Sequence, residues 1–197
     1  PSSAMFPIAL ALLLGVPLVA EGVLANPTRT GALGVLTRMG ATIARADDGT
    51  VGGEPVADLH VASGARLRAT AIGGAEVPSL IDELPMLACL AARVPGETVV
   101  ADAGELRVKE SDRIAAVVAN LRAIGAEAEE RPDGLVVRGS DRPLAGRVVT
   151  HGDHRIAMAF GVLGALPGSA IVIDDPACVD VSYPGFWQDL ARVRATA

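Results

Sequence analysis

Apolar positions along the chain alternate between helical spacing and short runs typical of strands. The clearest helical repeat lies after residue 113, where the apolar positions fall on one helical face: Ile114, Val117, Val118, Leu121 and Ile124. Apolar helical segments, each followed by a Pro-containing turn and a short β-rich run, occur three times. The pattern predicts three copies of one unit, built from a helix, a strand, a second helix and a closing pair of strands.

The predicted elements keep the same order in each copy. First helices are expected at 3–14, 82–94 and 154–166, and strands follow at 18–23, 98–101 and 170–173. Second helices are expected near 30–39, 111–124 and 184–194. Gly40 and Gly125 suit helix C-caps at the ends of two of them. Strand pairs close the first two copies, at 42–45 with 59–62 and at 127–130 with 135–138, the latter across the Asp133-Gly134 turn signal.

Length and composition fit one domain with a sizeable core. The 197 residues are 50% hydrophobic but only 3% aromatic, so Ala, Val, Leu and Ile must fill that core. We predict an α/β (α+β) domain over residues 1–197, with repeats at roughly 1–65, 66–140 and 141–197. The net charge of −6 disfavours nucleic acid or an anionic membrane surface as partner. A local basic cluster would have to hold any anionic substrate.

Residues 4–20 carry no charge, which is also a feature of membrane spans and signal peptides. Pro7, Gly15 and Pro17 interrupt this segment, no basic residue precedes it, and it is short for a bilayer span. We therefore expect a buried helix followed by a strand, and no membrane partner.

The cysteines and histidines predict no metal site. Cys89 and Cys178 lie in apolar surroundings, with neither metal-ligand spacing nor a dense disulfide framework. The histidines have no cysteine partner at useful spacing. Buried thiols are typical of a reducing compartment, so a cytoplasmic protein is expected.

The segment 105–113 concentrates charge at a predicted helix start. It holds six ionisable groups, including Lys109, which is the only lysine of the chain. The chain has sixteen arginines, and Arg107 and Arg113 lie in this segment. Ser111 or Asp112 is a natural N-cap, which places Arg113 in the first turn. Free backbone N–H groups and the helix dipole favour an anionic ligand there. The alternative interpretation is a solvated charged loop that caps an ordinary helix.

Three segments resemble the signatures of one enzyme family. They are RVKESDR at 107–113, GDHRIAMA at 152–159 and VPSLIDELP at 77–85. The chain resembles the 5-enolpyruvylshikimate-3-phosphate synthases in these motifs and in their order. The resemblance implies two pseudo-threefold domains of βαβαββ units, with helices inside three sheets. Three units correspond to the C-terminal half of such an enzyme, whose missing N-terminal domain would be its partner.

The resemblance also implies a reaction that needs no cofactor. The family transfers the enolpyruvyl group of phosphoenolpyruvate to the 5-hydroxyl of shikimate 3-phosphate and releases phosphate, a step in the biosynthesis of aromatic amino acids. Asp82 matches the residue that accepts the proton of the hydroxyl and also binds shikimate 3-phosphate. Glu110 matches the acid that protonates the methylene carbon. Without the resemblance, Asp82 would be interpreted as a helix N-cap.

The remaining matches are groups that bind anions. Arg113 and Arg155 match the pair that binds phosphoenolpyruvate, for which a planar guanidinium is suited because it binds carboxylate and phosphate bidentately. Lys109 matches a ligand of shikimate 3-phosphate. His154 adjoins Arg155 and is a possible further member of the site, although packing is the simpler role for an isolated histidine.

Two positions depart from the common family pattern. Val181 stands where many members carry a lysine that helps bind phosphoenolpyruvate, and Glu105 replaces an asparagine ahead of RVKE. These changes resemble the bacterial branch that includes glyphosate-tolerant enzymes.

Two alternative functions remain open at this point. The UDP-N-acetylglucosamine enolpyruvyl transferases share the architecture, although the RVKESDR and DHRIAMA motifs favour the synthase branch. Alternatively, the isolated half is a non-catalytic domain that at most binds substrate weakly. We expect this chain to be inactive alone, because the cleft of the family lies between its two domains.

Overall fold

Three sheets surround a group of packed helices in the computed structural model, which describes residues 2–197 apart from the side chains of Asp47 and Asp48. The helices are α1 Ser2–Leu14, α2 Gly31–Met39, α3 Leu84–Ala91, α4 Arg113–Ala123, α5 His154–Gly164 and α6 Phe186–Ala195. The strands are β1 Leu18–Leu24, β2 Ile43–Val51, β3 Glu54–Val61, β4 Ala71–Ile72, β5 Gly96–Val100, β6 Glu127–Arg131, β7 Gly134–Gly139, β8 Ala145–Val148 and β9 Ala170–Ile173.

Each sheet belongs to one of the three copies of the predicted unit. The first sheet has the antiparallel order β1-β3-β2. The second has the order β4-β5-β7-β6, in which only the β4–β5 pair is parallel. The third contains the parallel pair β8–β9. The middle copy therefore runs β4-α3-β5-α4-β6-β7, which is the expected βαβαββ order.

The first helices of the three copies form the centre of the fold. Helices α1, α3 and α5 pack against one another, and every residue of α3 is buried. A helix surrounded on all sides needs apolar residues on all sides, which explains why these three segments read as continuous apolar runs. Phe6 of α1 and Phe186 of α6 meet edge to face, 5.8 Å apart, and extend this core. The prediction of helices inside three sheets is confirmed.

Most predicted elements are found within two residues of their expected ends, with three differences. Helix α3 is shorter than predicted, because a separate 3-10 turn, Ile81–Glu83, precedes it and the helix ends at Ala91 and not at 94. The β2–β3 hairpin is twice as long as expected and turns at Gly52 and Gly53, both at positive φ. Strands β4 and β8 were not predicted, since runs of two and four residues containing Ala and Gly give no periodic signal. The repeat boundaries themselves stay a prediction.

The caps of α4 and α5 fix the loops that enter the site. The Asp112 carboxylate accepts a hydrogen bond from the backbone N–H of Ala115 at 3.0 Å, which settles the choice between the two predicted caps. Asp153 caps α5 in the same way, through the N–H of Arg155 at 2.9 Å. The positive ends of both helix dipoles therefore lie beside the charged side chains of the candidate site.

The described residues 2–197 include no helix that combines enough length with enough apolar character to cross a membrane.

Candidate active site

Arg113 lies at the centre of a charged cluster, although its side chain is only 1% exposed. As the first residue of α4, it reaches three carboxylates that come from different parts of the chain. Its Nε lies 2.8 Å from Asp153 Oδ2, its Nη2 lies 2.5 Å from Glu110 Oε2, and its Nη1 lies 3.3 Å from Asp82 Oδ1. A buried guanidinium requires such partners, because an unpaired buried charge is strongly destabilising.

Asp82 lies among three cations on the turn before α3. Besides the Arg113 contact, its Oδ1 is 3.7 Å from Lys109 Nζ and its Oδ2 is 3.7 Å from Arg155 Nη2. Arg155 Nη1 also donates a hydrogen bond to the backbone carbonyl of Asp82 at 3.0 Å. The N-cap residue of α3 is Glu83 instead, so the interpretation of Asp82 as a helix cap is wrong. Its carboxylate is held by long-range ion pairs.

Glu110 forms the more exposed side of the cluster. Half of its side chain, 54%, is open to solvent, while its Oε2 contacts Arg113. It also lines an open groove of about 410 Å³ that runs over the start of α4 toward His151. The Glu110 carboxylate therefore contacts the buried Arg113 and is also accessible from solvent through this groove.

Lys109 is divided between two acidic residues. Its Nζ lies 2.5 Å from Glu105 Oε1, in addition to the longer contact with Asp82. The hydrogen bond with Glu105 raises the pKa of Lys109 above its ordinary value, and the charge of Asp82 adds to the effect. The glutamate that departs from the family pattern is thus the nearest partner of this lysine.

Arg155 and His154 lie side by side in the first turn of α5. The Arg155 side chain is mostly buried and contacts Asp82 and, at 3.9 Å, the Oε1 of Glu83. Glu83 is itself buried and accepts a short hydrogen bond from Ser2. Burial lowers the pKa of His154, and the charge of Arg155 lowers it further. The neutral imidazole is therefore favoured.

Asp153 is the member of the cluster that sequence reasoning did not single out. It is fully buried and accepts hydrogen bonds from Arg113, from the Ser111 hydroxyl at 2.9 Å and from the N–H of Arg155. Burial alone would raise the pKa of Asp153, but the hydrogen bonds and charge of Arg113, with those other donors, bring it below its ordinary value. Its place at a predicted helix start, two residues before Arg155, was a signal in the sequence. Its contact with Arg113, forty residues earlier, left no such signal.

The loop that leads into α5 is fixed by two side-chain clamps, one from the buried Asn120 and one from the exposed Asp174. The Asn120 side chain donates to the carbonyl of Val149 and accepts from its N–H, both at 2.8 Å. Asp174 accepts from the N–H of Thr150 at 3.0 Å and from its hydroxyl at 2.8 Å. The helix start that carries Arg155 therefore has little freedom to move.

A second brace holds the start of α4. Arg107 contacts the Asp112 carboxylate at 2.8 Å and that of Glu130 at 3.0 Å. Its other donors reach the carbonyls of Arg131 and Pro132, both at 2.6 Å, in the turn between β6 and β7. The RVKESDR segment is therefore tied to the second sheet through its first residue.

Another cavity, about 530 Å³, lies between α1, β1 and α6. Apolar residues make up most of its lining, and the charged cluster lies elsewhere. Among the side chains that the structure describes, which exclude those of Asp47 and Asp48, no group of three His, Cys, Asp or Glu residues could hold a metal ion. We therefore assign the candidate site from the convergence of charged side chains and not from cavity size.

The five charged residues predicted from the sequence come together. Asp82, Lys109, Glu110, Arg113 and Arg155 form one connected network of ion pairs, with His154 beside it. They come from the turn before α3 and from the starts of α4 and α5, which are one element from each motif. Their catalytic and binding roles stay predictions.

Comparison with known proteins gives the same family as the motifs. The family model described as EPSP synthase (3-phosphoshikimate 1-carboxyvinyltransferase) matches residues 1–190. The chain belongs to the EPSP synthase family. The 3-phosphoshikimate 1-carboxyvinyltransferase of Desulforudis audaxviator is 50% identical over 193 residues, which are 98% of this chain and 45% of that protein. That of Gloeobacter violaceus is 51% identical over 177 residues, or 90% of this chain and 41% of that protein.

A solved EPSP synthase structure agrees with the fold. The enzyme from Acinetobacter baumannii superposes with a TM-score of 0.91 at 36% identity, and the match covers 98% of this chain and 45% of that one. This confirms the predicted enolpyruvyl transferase-like architecture. The chain therefore spans a little under half the length of the EPSP synthases that it matches.

Proposed function

We propose that the protein to which this chain belongs transfers the enolpyruvyl group of phosphoenolpyruvate to the 5-hydroxyl of shikimate 3-phosphate, with release of phosphate. The observation that carries the proposal is the network in which Arg113, Arg155 and Lys109 all contact Asp82 while Glu110 lies against Arg113. Three cations around two accessible carboxylates suit anionic substrates that must also exchange protons. The names of the related enzymes support the same reaction.

In the proposed reaction each residue has a distinct task. Arg113 and Arg155 hold the carboxylate and phosphate of phosphoenolpyruvate, and Lys109 and Asp82 bind shikimate 3-phosphate. Asp82 accepts the proton of the 5-hydroxyl while the hydroxyl oxygen forms a bond to the central carbon of phosphoenolpyruvate. Glu110 gives a proton to the methylene carbon, which becomes a methyl group in a tetrahedral intermediate. Loss of a methyl proton and of phosphate then gives the enolpyruvyl ether.

Substrate binding must rearrange the ion pairs that Arg113 makes with Glu110 and Asp82. Glu110 and Asp82 occupy the outer nitrogens of Arg113, where a substrate anion would bind. Both carboxylates have solvent access, since 54% of the Glu110 side chain and 29% of the Asp82 side chain are exposed. An incoming anion can therefore displace them, and displacement frees the two groups that exchange protons.

The charge balance of the network indicates that the rest of the protein is required. The three cations are accompanied by five carboxylates that contact them: Asp82, Glu83, Glu105, Glu110 and Asp153. Two highly anionic substrates would meet a site with excess negative charge. Further cations must come from outside this chain, so we propose that the missing N-terminal domain supplies them and that this half alone is inactive.

A phosphate-release assay on the full-length protein tests the proposed reaction. With phosphoenolpyruvate present, we expect phosphate release on addition of shikimate 3-phosphate and none on addition of UDP-N-acetylglucosamine. Turnover with the amino sugar alone would assign the protein to the other enolpyruvyl transferase reaction.

The two cysteines support a proposed cytoplasmic location. Both are free thiols, and Cys89 is buried while Cys178 is partly buried. Free thiols are typical of a reducing compartment.

A further inference from the structure

The three carboxylates around Arg113 differ in how far they can move. Glu110 and Asp82 have solvent access and contact the Nη1 and Nη2 end of the guanidinium. Asp153 has none, and it contacts the Nε edge on the inner side of the cluster. Arg113 therefore has one side whose partners a ligand can replace and one side whose partner is fixed.

Asp153 also connects the two helices that carry the anion-binding arginines. Its Oδ2 accepts from Arg113 Nε at 2.8 Å, while its Oδ1 accepts from the backbone N–H of Arg155 at 2.9 Å. Oδ1 lies 3.3 Å from Arg113 Nη2 as well, so the contact with Arg113 is side-on and bidentate. Ser111 donates to Oδ2 and fills its remaining lone pair. All the hydrogen-bonding capacity of this carboxylate serves the two helix starts.

We propose that Asp153 is a positioning residue, which aims the outer nitrogens of Arg113 at the substrate anion and holds the start of α5 that carries Arg155. The proposal rests on the proposed function, in which these arginines bind phosphoenolpyruvate. A guanidinium gripped along its Nε edge cannot rotate, and its two outer N–H groups stay aligned for a carboxylate or phosphate. Burial keeps Asp153 in place when Glu110 and Asp82 are displaced.

The full-length enzyme offers a matched pair of variants. Asp153→Asn keeps the shape and the helix cap but loses the charge that grips Arg113. Asp112→Asn is the control, because Asp112 caps α4 in the same way yet pairs with Arg107 and is exposed. Asparagine is about as good an N-cap as aspartate, so loss of capping should affect neither variant.

We expect the two variants to differ in the Michaelis constant for phosphoenolpyruvate. Asp153→Asn should raise this KM by about tenfold or more, since a charge-assisted bidentate contact is lost. The dissociation constant for shikimate 3-phosphate should stay within about twofold, and Asp112→Asn should change either constant by less than about twofold. Equal KM changes in the two variants would overturn the proposal.

A double variant separates positioning from general support of the fold. If Asp153 acts through Arg113, adding Asp153→Asn to Arg113→Met should change the KM for phosphoenolpyruvate by less than about twofold, because the effects of coupled residues are not additive. A purely structural role predicts a further loss in the double variant, and that result contradicts the inference. Neither buried charge remains in the double variant, so it should fold even if Asp153→Asn alone does not. Circular dichroism of Arg113→Met, which leaves Asp153 without its partner, shows that the reference of the comparison is folded.

A measurement of the arginine side chain does not depend on turnover. In the ¹⁵N-arginine-labelled protein, the Nε–H of Arg113 should exchange slowly with solvent in the wild type and in Asp112→Asn, and rapidly in Asp153→Asn. The signal is assigned by its absence in Arg113→Met. A protected signal that survives in folded Asp153→Asn overturns the inference. A wild type with this signal but without turnover would instead reject the proposed function.

Discussion

At the scale of single residues, Glu110 combines two properties that oppose each other. Its carboxylate is the proposed proton donor, yet it also accepts a hydrogen bond from the outer nitrogen Nη2 of Arg113 at 2.5 Å. The same side chain thus serves the chemical step and competes with the substrate anion. Substrate binding and turnover should therefore respond differently to its removal.

Glu110→Gln tests this opposition directly in the full-length protein. We expect kcat to fall about 10²–10⁴-fold, because the amide cannot donate the proton. The KM for phosphoenolpyruvate should stay constant or fall, since a neutral side chain competes less for Arg113. Glu127→Gln, on strand β6 and paired with Arg138, is the control and should change neither value. Unchanged turnover in steady-state assays of Glu110→Gln would reject the acid role.

The sequence predicted this site unevenly, residue by residue. Five of its charged residues could be named because they lie in motifs that resemble a known family. Asp153 lies in one of those motifs too, but its importance comes from contacts with Ser111 and Arg113, about forty residues earlier in the chain. Spacing along the chain does not encode which carboxylate is buried and which is free to move. That distinction required the packing of α4 against α5.

At the scale of elements, the long apolar helices were predictable and the shortest strands were not. Helices α1, α3 and α5 are apolar on all sides because other elements surround them, and such segments stand out in any sequence. Strands β4 and β8 are defined by parallel pairing with β5 and β9, a long-range contact that leaves no local pattern. Glycines within elements show the same division between local and long-range causes.

Two glycine-to-alanine changes should have opposite effects on stability. Gly34 lies in α2 with open space around it, so Gly34→Ala should stabilise the chain by about 0.5–1 kcal/mol through helix propensity. At Gly134, which begins β7, an added Cβ would lie 1.9 Å from the carbonyl oxygen of Val100. Gly134→Ala should therefore cost about 1–3 kcal/mol. Urea unfolding of both variants measures the difference, and a stabilised Gly134→Ala would show that the β5–β7 approach is looser than described.

At the scale of the whole molecule, the half-buried His154 and the buried Asp153 should give stability a two-stage dependence on pH. The pKa of His154 is lowered in the fold, so the unfolded chain takes up a proton first as pH falls below about 6.5. Stability should then decline until pH passes the lower folded pKa. The pKa of Asp153 is lowered as well, so its contribution is present above its unfolded value of about 3.9 and is lost only below that.

Melting temperatures measured from pH 8 to pH 3 resolve the two stages. His154→Gln should flatten the upper stage, because no histidine at this position remains to be protonated in the unfolded chain. His60→Gln, at an exposed position on β3, is the control for the loss of a histidine elsewhere in the chain. An upper stage that persists in His154→Gln would assign it to another group.

The balance of charge in the site gives the final prediction at the level of the assembly. Five carboxylates against three cations leave an excess of negative charge where the two proposed substrate anions would bind, so this chain alone should bind either of them with a dissociation constant weaker than about 1 mM. Calorimetric titration of phosphoenolpyruvate and shikimate 3-phosphate measures this, first alone and then with a separately produced N-terminal half. Turnover should appear only in the mixture.

A matched variant makes that mixing experiment specific to the site. Asp82→Asn removes the proposed base on this chain but leaves the shape of the turn before α3, so it should still associate with the N-terminal half. The mixture should still bind shikimate 3-phosphate, because Lys109 remains and the amide oxygen that replaces the carboxylate can still accept a hydrogen bond. It should release no phosphate, since no group accepts the hydroxyl proton. Substantial turnover by the wild-type chain alone would contradict the need for a second domain. Turnover by the Asp82→Asn mixture would reject Asp82 as the base, because the reaction would then proceed without its carboxylate. The cations that surround Asp82 would in that case serve binding only.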